Sequence, residues 1–282
     1  MPEGDTIFRT ARTLARALAG KTVTHFSSEL ARLHVDAENA ELVGQVLTNV
    51  TAHGKHVVMQ FSSGVNLRTH MRMSGSWHIY RIGERWQRPR AEMRIVLETG
   101  DFQAVAFLVH EAELVADSAL QKRLQTLGPN VLATDFDPQL AAARLLAAGA
   151  RPMCDVLLDQ RVIAGLGNVY KSELLFLARV HPQRYANTLD AATAQLICER
   201  AAELLRVNVK DTSEGGIVTY HGLRRTTGRS DPGDRMWVYQ RGGRPCRECG
   251  TAIVMQRLGQ HARSTYYCPR CQPLKPIIRA FG

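Results

Sequence analysis

Four cysteines near the C-terminus carry the clearest chemistry in the sequence. Cys246 and Cys249 form one Cys-x-x-Cys pair, "CREC". Cys268 and Cys271 form a second, "CPRC", with 18 residues between Cys249 and Cys268. Each pair suits a tight knuckle that aims both sulfurs at one point. Two knuckles on adjacent hairpins make a tetrahedral four-thiolate site, the preferred structural geometry for zinc. Protein fills all four positions, so such a site leaves none open for catalysis. Chance cysteines, a redox pair or an iron–sulfur cluster fit the spacing less well. Cys154 and Cys198 stand alone in helical segments and read as buried core thiols.

Three further stretches offer chemistry. Arg263 falls near the tip of the hairpin between the knuckles, where a guanidinium suits phosphate contact or is simply an exposed arginine. "DQRVIAGLGNVYKSE", residues 159–173, reads as a helix ending near Arg161, a glycine-rich turn, and a new helix opened by Gly167 or Asn168. That helix start would offer free N–H groups and a positive dipole end to a phosphate. An ordinary glycine-rich helix hairpin explains the stretch equally well. "THMRMSGSW", residues 69–77, sets Met73 between Arg72 and Ser74 just before Gly75. An apolar residue on such a turn can fill the gap left by an extruded base, although a lone methionine is more often core.

The elements that must position these residues follow from periodicity. Ile7, Phe8, Ala11, Leu14, Ala15 and Leu18 recur at helical spacing over residues 5–19, with Asp5 or Thr6 to cap the start and Gly20 to end it. From Gln45 to Val115 short β-prone runs such as "KHVVMQF", "SWHIYR" and "MRIVLE" alternate with turn signals, which predicts an antiparallel sandwich with the first helix outside it. "LGPNVL" at 127–132 marks a boundary, and alanine-rich helical segments follow. Residues 211–235 read as a long basic loop, functional or mobile by its length.

Composition narrows the partner. The 282 residues suggest about two domains, and a net charge of +10 with pI near 9.6 favours a polyanion, nucleic acid before anionic membrane. No run approaches a membrane span, and the acidic start, Glu3 and Asp5, does not read as a secretory signal. The expectation is an intracellular protein, cytoplasmic and nucleoid-associated, whose thiols stay reduced.

These pieces, in order along nearly the whole chain, resemble the formamidopyrimidine-DNA glycosylase and endonuclease VIII family. The residues that carry the resemblance are "PEG" at the start, "GKH" at 54–56, "MSGSW", "LGPN", "LLDQRVIAGLGNVYKSE", "WVYQRGG" and the ribbon ending "CPRCQ". The resemblance implies an α+β multidomain fold: an N-terminal helix plus antiparallel β-sandwich as catalytic domain over 1–132, a helix-two-turn-helix domain with the basic loop over 133–235, and a zinc ribbon over 236–282. It implies a bifunctional glycosylase and abasic-site lyase in which Pro2, exposed by removal of Met1, is the nucleophile. Glu3 would be the acid, Lys55 a phosphate-contacting proton-transfer aid, Asn168 a phosphate ligand, and Arg263 a phosphate grip that supports elimination. Arg72, Met73 and Ser74 would meet DNA at the lesion. One structural zinc on Cys246, Cys249, Cys268 and Cys271 is implied, with no catalytic metal or organic cofactor, and a monomer acting on damaged DNA, duplex or locally opened.

The resemblance also has departures. The strand "FQAVAFLV" is followed by "HEAEL", without the arginine- and phenylalanine-bearing loop of the 8-oxoguanine branch. That favours the endonuclease VIII branch and oxidised pyrimidines. Arg72-Met73-Ser74 resembles the other branch, and Thr126 stands where relatives commonly carry arginine. A purine-lesion glycosylase is therefore the first rival, and a non-catalytic zinc-ribbon DNA-binding protein the second.

Overall fold

The computed structural model describes residues 2–210, 224–229 and 231–274. Most of the expected basic loop, at 211–223, lies outside them, as does Met1. The chain divides into two units. The described residues of the first are 2–126 and 209–210, and those of the second are 127–208, 224–229 and 231–274.

The first unit opens with helix α1, Gly4–Leu18, followed by strand β1, Lys21–Ser28, and helix α2, Ala31–Asn39. Seven strands come next: β2 Val46–His53, β3 His56–Phe61, β4 Val65–His70, β5 Ser76–Arg81, β6 Met93–Thr99, β7 Phe102–Phe107 and β8 Glu111–Ala116. Helix α3, Asp117–Gln125, ends the run. All pairings are antiparallel, in the order β5-β7-β6-β1-β2-β3-β4-β8. β1 touches β2 over only Lys21↔Leu47 and Thr22↔Val46. That short corner divides the strands into two four-stranded halves, the sandwich expected from the alternating pattern.

Helix α1 is not an outer cover. Eleven of its 15 residues are buried, and it packs against β2 and β3 of one half and β5 and β7 of the other. Ile7, Leu14 and Leu18 share a core with Leu47, Met59, Leu67, Trp77 and Leu97. The reason lies in its buried polar face. Glu3, Asp5, Thr6, Arg9, Thr10 and Thr13 are all buried as well, so apolar spacing alone understates how much of the helix is enclosed. β1 and α2 were absent from the sequence expectation. β1 alternates weakly, with Val23 alone fully buried, and α2 buries only Leu33 and Ala37.

The second unit contains helices α4 Pro138–Ala147, α5 Met153–Val156, α6 Asn168–Leu177 and all but the last two residues of α7 Ala191–Lys210, then strands β9 Val254–Leu258 and β10 Arg263–Tyr267. Its core gathers Val131, Leu145, Met153, Leu157, Leu166, Tyr170, Leu174 and Leu205. Residues 127–131 belong to this unit because they bond to the turn before α6. Gly128 N donates to Gln160 O at 2.9 Å, Ala164 N to Pro129 O at 2.9 Å, and Val131 N to Ala164 O at 3.2 Å. A Cβ at Gly128 would lie 2.4 Å from the Val162 carbonyl, which explains the glycine in "LGPN".

α1 is the element on which the first unit closes. Leu14→Ala, at a site with no exposure, should lower unfolding free energy by about 2–5 kcal/mol. Urea denaturation checks this; a loss below about 1 kcal/mol would mean α1 is not part of the cooperative core.

Candidate functional site

Glu3 stands at the N-cap of α1 with an extended backbone (φ −128°), and its carbonyl accepts Ile7 N–H at 3.0 Å. Its side chain is wholly buried and makes no capping bond to the helix. The side chain therefore does not act as a hydrogen-bonding cap of α1. Pro2, directly before it, is half-buried.

Lys55 sits in the two-residue turn joining β2 to β3 and is half-buried. Around that turn the sheet brings histidines together. His53 pairs with His56, His56 with His70, and His70 with Glu111 across four strands. The His56 and His70 rings meet edge-on with centroids 4.9 Å apart. Burial, then the charges of Arg68 and His70, bring His56 down to about 3. Burial, then the charges of Arg72, Lys55 and Arg68, bring His70 down to about 4. Burial also lowers His53. Lys55 thus projects beside neutral imidazoles. Sequence reading passed over these histidines because they lie far apart along the chain and meet only through strand register.

Arg72, Met73 and Ser74 form an exposed turn between β4 and β5. Met73 is 60% exposed, so it is not the core methionine that its residue type alone suggests.

In the second unit, Asn168 opens α6 after Gly167. Its Nδ2 donates to Ser264 O at 2.7 Å and its Oδ1 accepts from Lys171 Nζ at 2.7 Å. Lys171, fully buried, also donates to Thr265 Oγ1 at 2.7 Å. Thr265 Oγ1 in turn donates to Arg263 O at 3.0 Å. This network joins the start of α6 to β10 and brings Asn168 beside the strand headed by exposed Arg263. Glu173, two residues after Lys171, is also fully buried. It accepts N–H bonds from Trp237 at 2.8 Å, Val238 at 2.9 Å and Tyr239 at 2.8 Å, and a hydroxyl bond from Thr226. Both charges were legible as part of "NVYKSE", but nothing local signals their burial.

The four paired cysteines converge, with all four Sγ atoms within 4.8 Å of one another. Four sulfurs at that spacing fit one tetrahedral structural zinc ion. β9 and β10 form the hairpin between the knuckles. Buried Gln272 locks the second knuckle, accepting Cys268 N–H at 2.9 Å and donating to Val180 O at 2.8 Å.

Two outcomes follow. Purified protein should carry about one zinc per chain, and chelation should melt the ribbon while the first unit stays folded. Metal-free protein with unchanged thermal unfolding would contradict this. For the histidines the folded pKa lies below the unfolded value of 6.5, so the unfolded chain binds more protons between them. Their contribution is present above the unfolded pKa and is lost as pH falls toward the folded values. The first unit should melt at a lower temperature at about pH 5 than at about pH 7.5, and less steeply so in His56→Gln. Equal midpoints at both pH values would contradict it.

Comparison with known proteins agrees with this geometry. Residues 1–109 match the formamidopyrimidine-DNA glycosylase N-terminal domain, 127–219 its H2TH domain, and 243–274 the zinc finger found in FPG and IleRS. The chain is 37% identical over 275 residues to a probable endonuclease 8 2 of Streptomyces coelicolor, covering 96% of this chain and 94% of that one. It is 38% identical over 272 residues to the DNA-(apurinic or apyrimidinic site) lyase Nei2 of Mycolicibacterium smegmatis, covering 96% and 99%. Endonuclease 8 of Escherichia coli is 30% identical over 276 residues, covering 96% and 100%. In fold, the chain resembles MutM in complex with carbocyclic 8-oxo-G containing DNA, with a TM-score of 0.82 at 24% identity and coverage of 97% and 100%. The chain therefore belongs to the formamidopyrimidine-DNA glycosylase and endonuclease VIII family, and the sequence relatives named here are endonuclease 8 and Nei2 proteins.

Proposed function

We propose that this chain is a bifunctional DNA glycosylase and abasic-site lyase of base-excision repair, acting on oxidised bases and chiefly pyrimidines. The observation that carries the reading is a wholly buried carboxylate, Glu3, beside Pro2 at the start of an enclosed helix. Similarity to proteins named endonuclease 8 and DNA-(apurinic or apyrimidinic site) lyase supports it along nearly the full length. The missing arginine and phenylalanine after β7 support the pyrimidine branch.

With Met1 removed, Pro2 presents an α-amino group. Such amines have a reference pKa near 8, about two units below lysine, so more of the group is unprotonated at neutral pH. The Pro2 nitrogen attacks C1′ of the damaged nucleotide, and the glycosidic bond breaks. Glu3 supplies a proton to the sugar ring oxygen or the departing base. Ring opening leaves an iminium between Pro2 and C1′. That cation withdraws electrons, so a 2′ proton is lost and the 3′-phosphate departs. A further proton loss expels the 5′-phosphate, and water then hydrolyses the iminium to free Pro2.

The other residues orient and neutralise. Lys55 meets a phosphate near the lesion and aids proton transfer. Asn168 and Arg263, joined through the α6–β10 network, hold flanking phosphates, and Arg263 supports the second elimination. The turn of Arg72, Met73 and Ser74 faces the lesion, with Met73 filling the gap of the extruded base. Cys246, Cys249, Cys268 and Cys271 would hold zinc, which supplies folding free energy to the ribbon. The substrate sets the place of work at the nucleoid, and no described helix is long and apolar enough to cross a membrane.

Glu3→Gln separates the two steps. Base removal from an oxidised-pyrimidine duplex should fall by about 100-fold or more, while cleavage of a preformed abasic site falls much less, because only base removal begins at an intact glycosidic bond. Single-turnover assays on both substrates measure this. Equal losses on both would remove Glu3 from the first step.

A further inference from the structure

The turn that carries Met73 is fastened at several points. Met71 before it is buried at 1% exposure. Gly75 N donates to Met71 O at 2.8 Å, and a Cβ at Gly75 would lie 2.5 Å from that same oxygen, so the turn closes tightly only over glycine. Between them Arg72 adopts φ 50°, the left-handed region that a side chain makes costly. Two contacts keep it there. Its backbone N–H donates to His70 Nδ1 at 3.1 Å, and its guanidinium pairs with the Glu111 carboxylate. His70 and Glu111 are direct cross-strand partners at the ends of β4 and β8, with His70 Nδ1 3.7 Å from Glu111 Oε2. The guanidinium of Arg72 is thereby drawn to its own sheet while Met73 projects.

We infer that Glu111 and His70 are positioning residues for this turn, and that Arg72 is their tether and not a DNA ligand. Glu111 thus sets the pose in which Met73 enters the base stack. The inference rests on the reading of Met73 as the wedge. A carboxylate close to DNA phosphates is electrostatically unfavourable, and an unpaired arginine there would be a natural phosphate ligand. Pairing the two removes both effects and leaves the turn with its apolar tip. An ion pair this exposed contributes little by itself. Here it holds a residue in a strained conformation, and its loss lets Arg72 relax and Met73 swing with it.

The test uses the full chain as Glu111→Gln, Arg72→Gln and the double variant. The first readout needs no DNA: the methyl signal of Met73 in protein labelled with methyl-13C methionine, assigned by Met73→Leu. Each single variant should shift and sharpen that signal. The second readout is excision from a lesion duplex against cleavage of a preformed abasic site in single-stranded DNA. Each single variant should lose about 3–10-fold in the duplex-to-single-strand ratio, and the double variant should lose no more than either single. The slope of log affinity against log salt should be the same in Arg72→Gln as in the parent. A slope reduced by about one, or a Met73 signal unmoved by Glu111→Gln, would overturn the tether. If Met73→Ala excises from duplex as well as the parent while the methyl signal still responds to Glu111→Gln, the wedge reading fails and the tether stands.

Discussion

The proposed nucleophile, Pro2, lies just ahead of the first helix, so its placement depends on how firmly the start of that helix is held. Chain termini are ordinarily the least ordered part of a domain. In this protein the burial of α1 counters that tendency. Eleven of its 15 residues are enclosed, and its contacts reach strands of both halves of the sandwich. The bond from Ile7 N–H to Glu3 O carries the helical order back to the residue next to Pro2. Pro2 stands directly before the N-cap residue, one peptide link from a fully enclosed side chain. The proposed reaction depends on this, because an amine that frayed could not be aimed at the sugar.

The second unit meets a different constraint. Its ribbon has a small apolar core, built around Phe176, Val238, Ile253 and the cysteines. A core of that size orders little chain without a metal or another staple. Two buried charges add to it. Lys171 and Glu173 are two positions apart on α6, so they point in different directions. Lys171 reaches β10, and Glu173 reaches the backbone of 237–239. Buried charges cost heavily unless fully bonded, and these have polar partners. They fix α6 between the hairpin strand and the segment leading to the first knuckle, and so fix Asn168 relative to the strand of Arg263.

Much of this was legible in the sequence wherever function is written in local spacing. The cysteine pairs predict their convergence, "AGLGN" predicts a helix opening at Gly167 or Asn168, and "MRMSGSW" predicts a turn carrying Met73. What was hidden is non-local. His56, His70 and Glu111 meet only through strand register, and Glu173 only through a segment more than 60 residues away. β1 and α2 escaped because each buries too few residues to show a period. α5 ends at Val156, short of the helix expected to run to near Arg161, and further on Asp159 turns the chain by accepting Arg161 N–H at 3.0 Å. The enclosure of α1 was understated because polar residues make up much of its buried surface.

The central claim is that the amine of Pro2 becomes covalently joined to the sugar. Borohydride reduction during reaction with an abasic-site or oxidised-pyrimidine duplex, followed by digestion and mass spectrometry of the trapped adduct, tests it most directly. The account predicts a stable protein–DNA adduct whose modified residue is an N-terminal proline, in protein lacking Met1. An adduct carried by a lysine, in protein that retains Met1, would contradict it.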